Sequence, residues 1–485
     1  MSDGLTTKTL RGLFWSFFER GAYQLVQLTV SIVLARILLP EEFGLVAILV
    51  VFIAIGNSLV DSGFGSALIQ DQTTSHLDEC SVFYFNIALS VLVAAILTLS
   101  APAIAHIYGY PILVPLCRVL SLNIVLGALG AIHLTLLTKN VDFGTQSKIS
   151  LIAAAISGLI GISMAYRGFG VWSLATQSVA SAFFRTTLAW LFHDWRPSLQ
   201  FSSQSLFRMF PFGSRLLISG LLNTVFNNIY SLVIGKVFSA RDLGFYSRAD
   251  QLQQIPVLNL TAAVGRVLFP VFSSVQQDKE RLKRGVRITI TSLALINFPL
   301  MVGLAIVAKP LIVVLLTDKW LPSVLYLQML CAIGLLYPLH AINLSALKAQ
   351  GRSDLFLKLE VIKRILVITS IAITYRWGII AMISGAIVVS LFGYYLNAYY
   401  SGKFFDYPIT EQILDLFPAL LVSFVMGTSV YLVRYLSISS PLVLLTCQST
   451  VGVVVYFGLC RIFRIAAFMN AWGLLKTRLN ALSRE

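Results

Sequence analysis

Residues 15–65 read WSFFERGAYQLVQLTVSIVLARILLPEEFGLVAILVVFIAIGNSLVDSGFG, and this stretch decides the fold. Its apolar runs predict a long helix, a tight turn at Leu39-Pro40-Glu41-Glu42-Phe43-Gly44, and a second long helix. The first helix is not apolar all round. Ser16, Arg20, Gln24, Gln27 and Ser31 follow one another at steps of three and four, so they share one face. Hydrocarbon cannot satisfy such groups, so a spanning helix with this stripe needs polar partners or a wet cavity beside it. The unit recurs two hundred positions later. Ala35-Arg36-Ile37-Leu38-Leu39-Pro40-Glu41-Glu42-Phe43-Gly44 aligns without a gap on Gly235-Lys236-Val237-Phe238-Ser239-Ala240-Arg241-Asp242-Leu243-Gly244. In that register Gln24, Gln27 and Ser31 meet Thr224, Asn227 and Ser231, with Asn223 beside them.

Composition sets the class. The chain has 485 residues, 57% hydrophobic and 12% charged, with a mean hydropathy of +0.83. Soluble domains carry about 25% charged residues. Apolar runs long enough for a hydrocarbon slab about 30 Å thick recur from end to end. The chain is therefore predicted to be an all-α polytopic membrane protein. The net charge of +15 falls between apolar runs, which reads as membrane orientation rather than nucleic-acid binding. Five scattered cysteines form neither a disulfide framework nor a zinc motif. The first apolar run is too long for a signal peptide and lacks a small-residue cleavage site, so it reads as an uncleaved span.

Length and hydropathy place about fourteen spans, at 12–38, 44–68, 80–100, 111–137, 147–166, 171–192, 213–237, 244–270, 286–308, 323–347, 359–375, 378–400, 415–435 and 441–460. Two further echoes support a duplication. Tyr166-Arg167-Gly168-Phe169-Gly170 resembles Tyr375-Arg376-Trp377-Gly378, and Ser205-Leu206-Phe207-Arg208-Met209-Phe210-Pro211 resembles Gln412-Ile413-Leu414-Asp415-Leu416-Phe417-Pro418. Six spans per repeat keep both copies in one orientation. The expected organisation is an N-lobe over 1–192, a cytoplasmic interfacial linker over 193–212 with a short helix capped at Ser202-Ser203, and a C-lobe over 213–400. Residues 401–485 would supply an interfacial helix, two extra spans and a basic tail.

Gly12-Leu13-Phe14-Trp15-Ser16 with Arg20, the turn at Leu39 to Gly44, and Asp61-Ser62-Gly63-Phe64-Gly65-Ser66-Ala67-Leu68-Ile69-Gln70 together resemble the start of bacterial Wzx-type polysaccharide repeat-unit flippases. These belong to the MATE-like MOP superfamily. Gly168-Phe169-Gly170-Val171-Trp172-Ser173-Leu174, Trp195-Arg196-Pro197, Leu243-Gly244-Phe245-Tyr246-Ser247-Arg248-Ala249 and Val267-Leu268-Phe269-Pro270 fit the same family. The branch resembled most handles colanic acid, succinoglycan or lipopolysaccharide units. The resemblance implies export of an undecaprenyl-pyrophosphate-linked oligosaccharide across the bacterial inner membrane, two six-helix lobes around a central cationic cavity, and alternating access. It implies no cofactor and no catalysis. Implied partners are the lipid-linked oligosaccharide, membrane lipids, and the polysaccharide polymerase and chain-length machinery. In related lipid II flippases an extra helix pair forms a groove for the polyprenyl tail, which spans thirteen and fourteen could do here. Drug efflux by a MATE-type relative is an alternative, although the deep charges here are mainly basic and cation substrates suit an acidic cavity. A membrane glycosyltransferase would need a longer outer loop than any in this chain.

Several residues could carry the chemistry. Arg20, Arg118, Arg185 and Arg215 fall within spans, where an unpaired guanidinium costs several kcal/mol, and guanidinium forks suit phosphate oxygens. Arg20 lies on the polar stripe and either faces substrate or pairs with a carboxylate. Arg118 and Arg215 lie near span ends and can simply snorkel. Arg248 and Asp250, near Gln251 and Gln254, replace Ile48 and Val50 of the first repeat. They suit sugar contacts, or equally a wet helix end. Asp61, one helical turn from Asn57, and Glu19 are the carboxylates that could take up a proton or Na+ to drive a cycle. Asp61 also stands where a loop would begin, which is the simpler reading. Glu360 with Lys363 and Arg364 reads as an interfacial ion-pair cluster, and His133 and His340 read as packing hydrogen-bonders. No G-x-x-x-x-G-K-[ST] loop is present, so ATP hydrolysis is not expected.

The basic residues concentrate at both chain ends and in the loops on their side, which places those ends and the Lys279 to Arg284 loop in the cytoplasm. A Glu280→Cys variant in a cysteine-free background should therefore resist a membrane-impermeant thiol reagent on intact cells and react once the membrane is opened. Labelling of intact cells would reverse the assignment.

Overall fold

The computed structural model describes residues 21–61, 63–71, 73–436, 438–465, 467–469 and 473. Their contacts divide the chain into two compact units, Met1–Gly244 and Phe245–Glu485. The first contains α1 (Gly21–Ile37), α2 (Pro40–Asp61), α3 (Phe64–Gln70), α4 (His76–Tyr108), α5 (Leu113–Lys139), α6 (Phe143–Tyr166), α7 (Val171–Phe192), α8 (Ser203–Asn227) and α9 (Ile229–Val237). Helix α10 (Ala240–Ser274) carries the chain into the second unit. That unit adds α11 (Lys279–Leu316), α12 (Ser323–Ala349), α13 (Ser353–Thr374), α14 (Ile379–Phe405), α15 (Ile409–Leu432) and α16 (Pro441–Ile462). Among the described residues nine helices are long and apolar enough to cross a membrane, and α8 with α9 makes a tenth span bent by 44°. The remaining expected spans fall on α1, α7, α10 and α13, so each of the fourteen segments coincides with a helix.

Three boundaries differ from the sequence expectation. The span expected over 44–68 ends at Asp61, because Gly63 adopts a left-handed conformation (φ 73°) and the chain restarts as α3. The short helix expected in the linker is the opening of α8. Ser202 caps it by accepting from the Ser205 N–H, and the helix passes Pro211 without a break. No separate interfacial helix begins at residue 401. That stretch is the last turn of α14, and α15 starts at Ile409.

In the first unit α4 packs on α5, α7 on both α5 and α6, and α2 on α5. Small residues let these backbones approach, as is usual where lipid supplies no hydrophobic drive between helices. A Cβ on Gly130 would lie 2.8 Å from the Thr186 hydroxyl, and one on Gly158 would lie 2.3 Å from Val30 Cγ2. The opening of α8 is tied to the start of α4. The Arg208 guanidinium donates to Asp78 at 2.8 Å, Ser75 and Asp78 form a reciprocal capping box, and the Trp195 indole donates to Glu79 at 2.8 Å. Burial works against the Asp78 carboxylate. Hydrogen bonds from Ser205 and Ser75 and the Arg208 charge outweigh it and hold its carboxyl below the usual range. This latch therefore stabilises above the ordinary carboxylate pKa and fades only as pH falls through the depressed one.

The second unit is joined by a buried polar chain. His340 bonds Ser390 at 3.3 Å and Asn397 at 3.1 Å. Ser401 donates to Asn343 at 2.8 Å, Asn343 to Gln412 at 3.2 Å, and Tyr394 to Gln412 at 2.8 Å. Tyr407 then donates to Asp415 at 2.8 Å, and Asp415 also pairs with Arg287. The chain links α11, α12, α14 and α15. The last helix pair is further fixed on α11, where the Tyr456 hydroxyl donates to the Leu295 carbonyl at 2.6 Å. His340 thus is a packing hydrogen-bonder, as expected. His133 is buried against Trp190, with ring centroids 4.7 Å apart, and neither of its ring nitrogens has a hydrogen-bond partner among the described residues.

The repeated turns meet each other within the first unit. A Cβ on Gly44 would lie 1.6 Å from the Ala240 carbonyl oxygen, and one on Gly244 would lie 1.9 Å from the Pro40 carbonyl oxygen. Residue 44 meets 240 and residue 244 meets 40, the reciprocity of a two-fold contact. Each turn caps its helix. Glu42 accepts from the Leu39 N–H at 2.7 Å, and Ser239 accepts from the Asp242 N–H at 3.0 Å. Lys236 donates to the Ile107 carbonyl beside this contact. Gly44→Ala and Gly244→Ala should each destabilise the purified protein by at least the ~1–3 kcal/mol typical of overpacking, seen as a lower unfolding temperature. Gly458→Ala, where no atom lies within 4 Å of the new methyl, should be neutral or mildly stabilising.

Candidate functional site

The first unit encloses a cavity of about 900 Å³, a size typical of ligand sites. Its walls come from α1, α2, α3, α4, α5, α6 and α7. Two polar stripes build most of it. On α5, Asn123, Gly127, Ala131, Thr135 and Thr138 follow at steps of four, four, four and three. On α7, Gln177, Ser178, Ser181 and Arg185 share one face. Asn57 and Asp61 of α2, Asn86 of α4 and Gln27 of α1 complete the lining.

Contacts between helices set the levels. Asn123 donates to the Ser178 hydroxyl at 3.1 Å, which fixes one tier. A Cβ on Gly56 would touch both Val93 of α4 and Ile124 of α5, so Asn57 belongs to that tier. Further along, Phe64 stacks edge-on against Phe85 at 5.2 Å, Gly65 faces Thr135, and Gly130 faces Thr186. These contacts place Asp61, Asn86 and Arg185 further along the cavity than the first tier, with Thr135 beyond Arg185.

The cavity wall is chemically unfinished. Asp61 and Arg185 make no ion pair or hydrogen bond among the described residues. Asn86 is 4% exposed and Asn123 is 9% exposed, yet the side-chain oxygen of each has no partner among the described residues. Buried carboxamides left open in this way are costly, and their natural partners are sugar hydroxyls, water or a cation. In the second unit Asn297 has the same Asn-apolar-apolar-Leu setting as Asn86 in outline; its oxygen is likewise without a partner among the described residues, but its amide donates to the Gly334 and Leu335 carbonyls at 3.0 and 3.1 Å.

Of the residues singled out from sequence, Gln27, Asp61 and Arg185 line this cavity. Asn57, noted beside Asp61, does too. Gln24, Arg118, Arg215, Asn223 and Asn227 lie on the same unit but outside its lining. Arg20 and Glu19 lie outside the described residues. Arg248 and Asp250 belong to the second unit. Arg248 donates to Gln251 at 2.7 Å, and Gln254 donates to Asp250 at 2.7 Å. Glu360 and Lys363 form the expected ion pair on α13. Asn86, Asn123, Thr135, Gln177 and Ser178 were missed by sequence reasoning. The spacing along α5 and α7 was the available signal, but Asn123 and Thr135 each stand singly in an apolar run, and the polar cluster Thr176-Gln177-Ser178 does not pick out one face. Among the described residues no group of three His, Cys, Asp or Glu side chains gathers to hold a metal. The second unit has its own recess of about 440 Å³ between α11, α12 and α15, walled by Val302, Ile306 and Phe424 and largely apolar.

Comparisons with known proteins agree with this architecture. The family described as "Polysaccharide biosynthesis protein" matches residues 33–325. The lipopolysaccharide biosynthesis protein WzxC of Escherichia coli (strain K12) is 29% identical over 87% of this chain and 88% of its own length. The succinoglycan biosynthesis transport protein ExoT of Rhizobium meliloti (strain 1021) is 30% identical over 66% of this chain and 65% of its own. The lipid II flippase MurJ in its inward closed conformation superposes with a TM-score of 0.72 at 15% identity, over 94% of this chain and 98% of its own, and so has the same fold.

The two asparagines predict opposite responses to the same change. Asn297→Leu should lower the unfolding temperature, because it strips two carbonyls of their donor, at a cost on the order of 1–3 kcal/mol. Asn86→Leu should leave stability unchanged or raise it, because it removes a buried acceptor that nothing among the described residues satisfies. Comparable destabilisation by both would show that Asn86 is bonded in the folded protein.

Proposed function

The chain belongs to the polysaccharide biosynthesis protein family, and from that membership we propose that it turns a polyprenyl-pyrophosphate-linked oligosaccharide repeat unit from the cytoplasmic to the periplasmic leaflet. The observation that carries this reading is the amide- and hydroxyl-lined cavity inside an otherwise apolar helical bundle. A glycan cannot cross hydrocarbon unaided, because each unpaired hydroxyl costs roughly 2–7 kcal/mol to desolvate. Carboxamides and hydroxyls on the cavity wall replace those lost hydrogen bonds. Arg185, and Arg20 in the sequence stripe with Gln24 and Gln27, supply guanidinium forks for the phosphates or for an acidic sugar. The polyprenyl tail needs no such path, and the apolar recess between α11, α12 and α15 suits it.

In this reading the protein resides in the bacterial inner membrane with both ends in the cytoplasm. It works by alternating access, drawing on a proton or Na+ gradient. Its product passes to the polymerase and chain-length machinery at the outer face. Drug efflux is disfavoured, since curated relatives similar in sequence are named for polysaccharide biosynthesis or transport.

Reconstitution tests the proposal. Full-length protein in liposomes should move a fluorescent polyprenyl-pyrophosphate oligosaccharide to the leaflet where an impermeant quencher reaches it. Arg185→Ala should slow this by about tenfold or more, equivalent to ~1.4 kcal/mol. Arg20→Lys should also lose much of the rate, because an ammonium keeps the charge but not the fork. Movement of a lipophilic drug cation without any movement of the lipid-linked glycan would overturn the reading.

A further inference from the structure

The connection between α7 and α8 is docked along its length. Residues 193–202 form no helix, yet Trp195 is buried among Phe83, His133 and His76, with ring centroids 5.4, 5.2 and 5.9 Å away. Its indole is anchored on Glu79. Beyond it the Ser198 N–H donates to Cys80 Sγ at 3.3 Å, and the Ser202 N–H donates to the Ser81 hydroxyl at 2.9 Å. One bond in this series has a titratable acceptor. The backbone N–H of Trp195 donates to Nδ1 of His193 at 3.1 Å. That bond requires a bare Nδ1, which assigns a neutral imidazole with its proton on Nε2. We propose that His193 is an acid-sensitive clasp: a proton on Nδ1 breaks the turn at Trp195 and lifts the connection off α4.

The turn cannot absorb the proton in place. An imidazolium has two N–H donors and no acceptor, so its Nδ1–H would face the Trp195 N–H, donor against donor. Arg196, in the same turn, donates to the His193 and Trp195 carbonyls at 2.6 and 2.8 Å and adds a fixed positive charge. On α5 the His133 ring stands 5.9 Å from that of His193. Negative charge comes from the adjoining Asp194, from Glu79 of α4, and from Asp142, which caps α6. His76 of α4 lies 3.7 Å from Glu79. Burial holds the His193 pKa below the ordinary histidine value, Arg196 adds to the effect, and the three carboxylates offset only part of it. The released connection therefore binds a proton that the docked one does not. Docking is complete above the ordinary histidine pKa of about 6.5 and weakens as pH falls through and below it. The Arg208–Asp78 contact at the opening of α8 answers a lower pH, because its carboxyl is held down. Acid thus frees the turn at Trp195 before it frees α8.

Cys80 reads out the clasp, because it is fully buried beneath Ser198. The test uses purified full-length protein with Cys80 as the one remaining cysteine. Its reaction with dipyridyl disulfide, divided by that of a free thiol at the same pH, should rise between about pH 7.5 and about pH 5.5, by up to about tenfold per pH unit once below about 6.5. His193→Asn should stay slow and flat, because a carboxamide accepts the same N–H two residues on and does not titrate. His76→Gln removes the histidine 3.4 Å from the Cys80 sulfur and should keep the rise. Cys117, buried elsewhere on α5, should stay unreactive when it is the one remaining cysteine. An acid rise that survives in His193→Asn would overturn the proposal, as would its loss in His76→Gln. A flat profile with His193 intact would do the same, and that measurement needs no variant at position 193 to fold. Equal rises at Cys80 and Cys117 would assign the change to general unfolding and also overturn it. The protein is measured without saccharide, so each outcome is independent of the export reading.

Discussion

Hydrocarbon satisfies no hydrogen bond, and that constraint sorts the polar side chains of this protein into two populations. In the second unit they are spent on one another. Ser390, His340, Asn397, Ser401, Asn343, Gln412 and Tyr394 form one connected set that locks α12, α14 and α15 together. In the first unit Asn86 and Asn123 line a cavity, each with a side-chain oxygen unbonded among the described residues. Asn297 and Asn397 of the second unit also leave an oxygen unbonded there, but their amides bond across to neighbouring helices.

The repeat also makes a structural joint. Gly44 and Gly244 are equivalent in sequence, and each lies against the carbonyl four positions before the other. No side chain fits at either position. Helix starts are rich in unsatisfied N–H groups, and here Glu42, Ser239 and the Tyr110 hydroxyl, which accepts from the Ala240 N–H at 3.0 Å, satisfy several of them. The joint is thus made of backbone and caps, which is why the motif survives between the two copies while the flanking apolar residues drift.

A transporter for large glycans needs many weak, reorientable contacts rather than a few strong ones. Amides and hydroxyls on α5 and α7 provide them, since each can donate and accept. The charged members, Asp61 and Arg185, make no ion pair with each other or with any other group among the described residues. A fixed ion pair between them would have closed the site electrostatically and removed both from use.

The sequence by itself determined the class, the helix count and the family. Twenty-residue apolar runs have no other stable home than a bilayer, and the turn at Leu39 to Gly44 recurs in outline two hundred positions later. It also pointed to Gln27, Asp61 and Arg185, because a polar residue inside an apolar run must answer to something. It could not say that these three face one cavity, nor that Arg118 and Arg215 lie outside its lining. Helical periodicity assigns a face but not the neighbour opposite, and Asn86 and Asn297 look alike until α12 is seen to lie against one of them. Whether Asp61 opens a loop or faces a cavity was likewise decided only by tertiary structure. The left-handed turn at Gly63 ends α2 there, and packing makes Asp61 part of a cavity wall with Asn86 and Thr135.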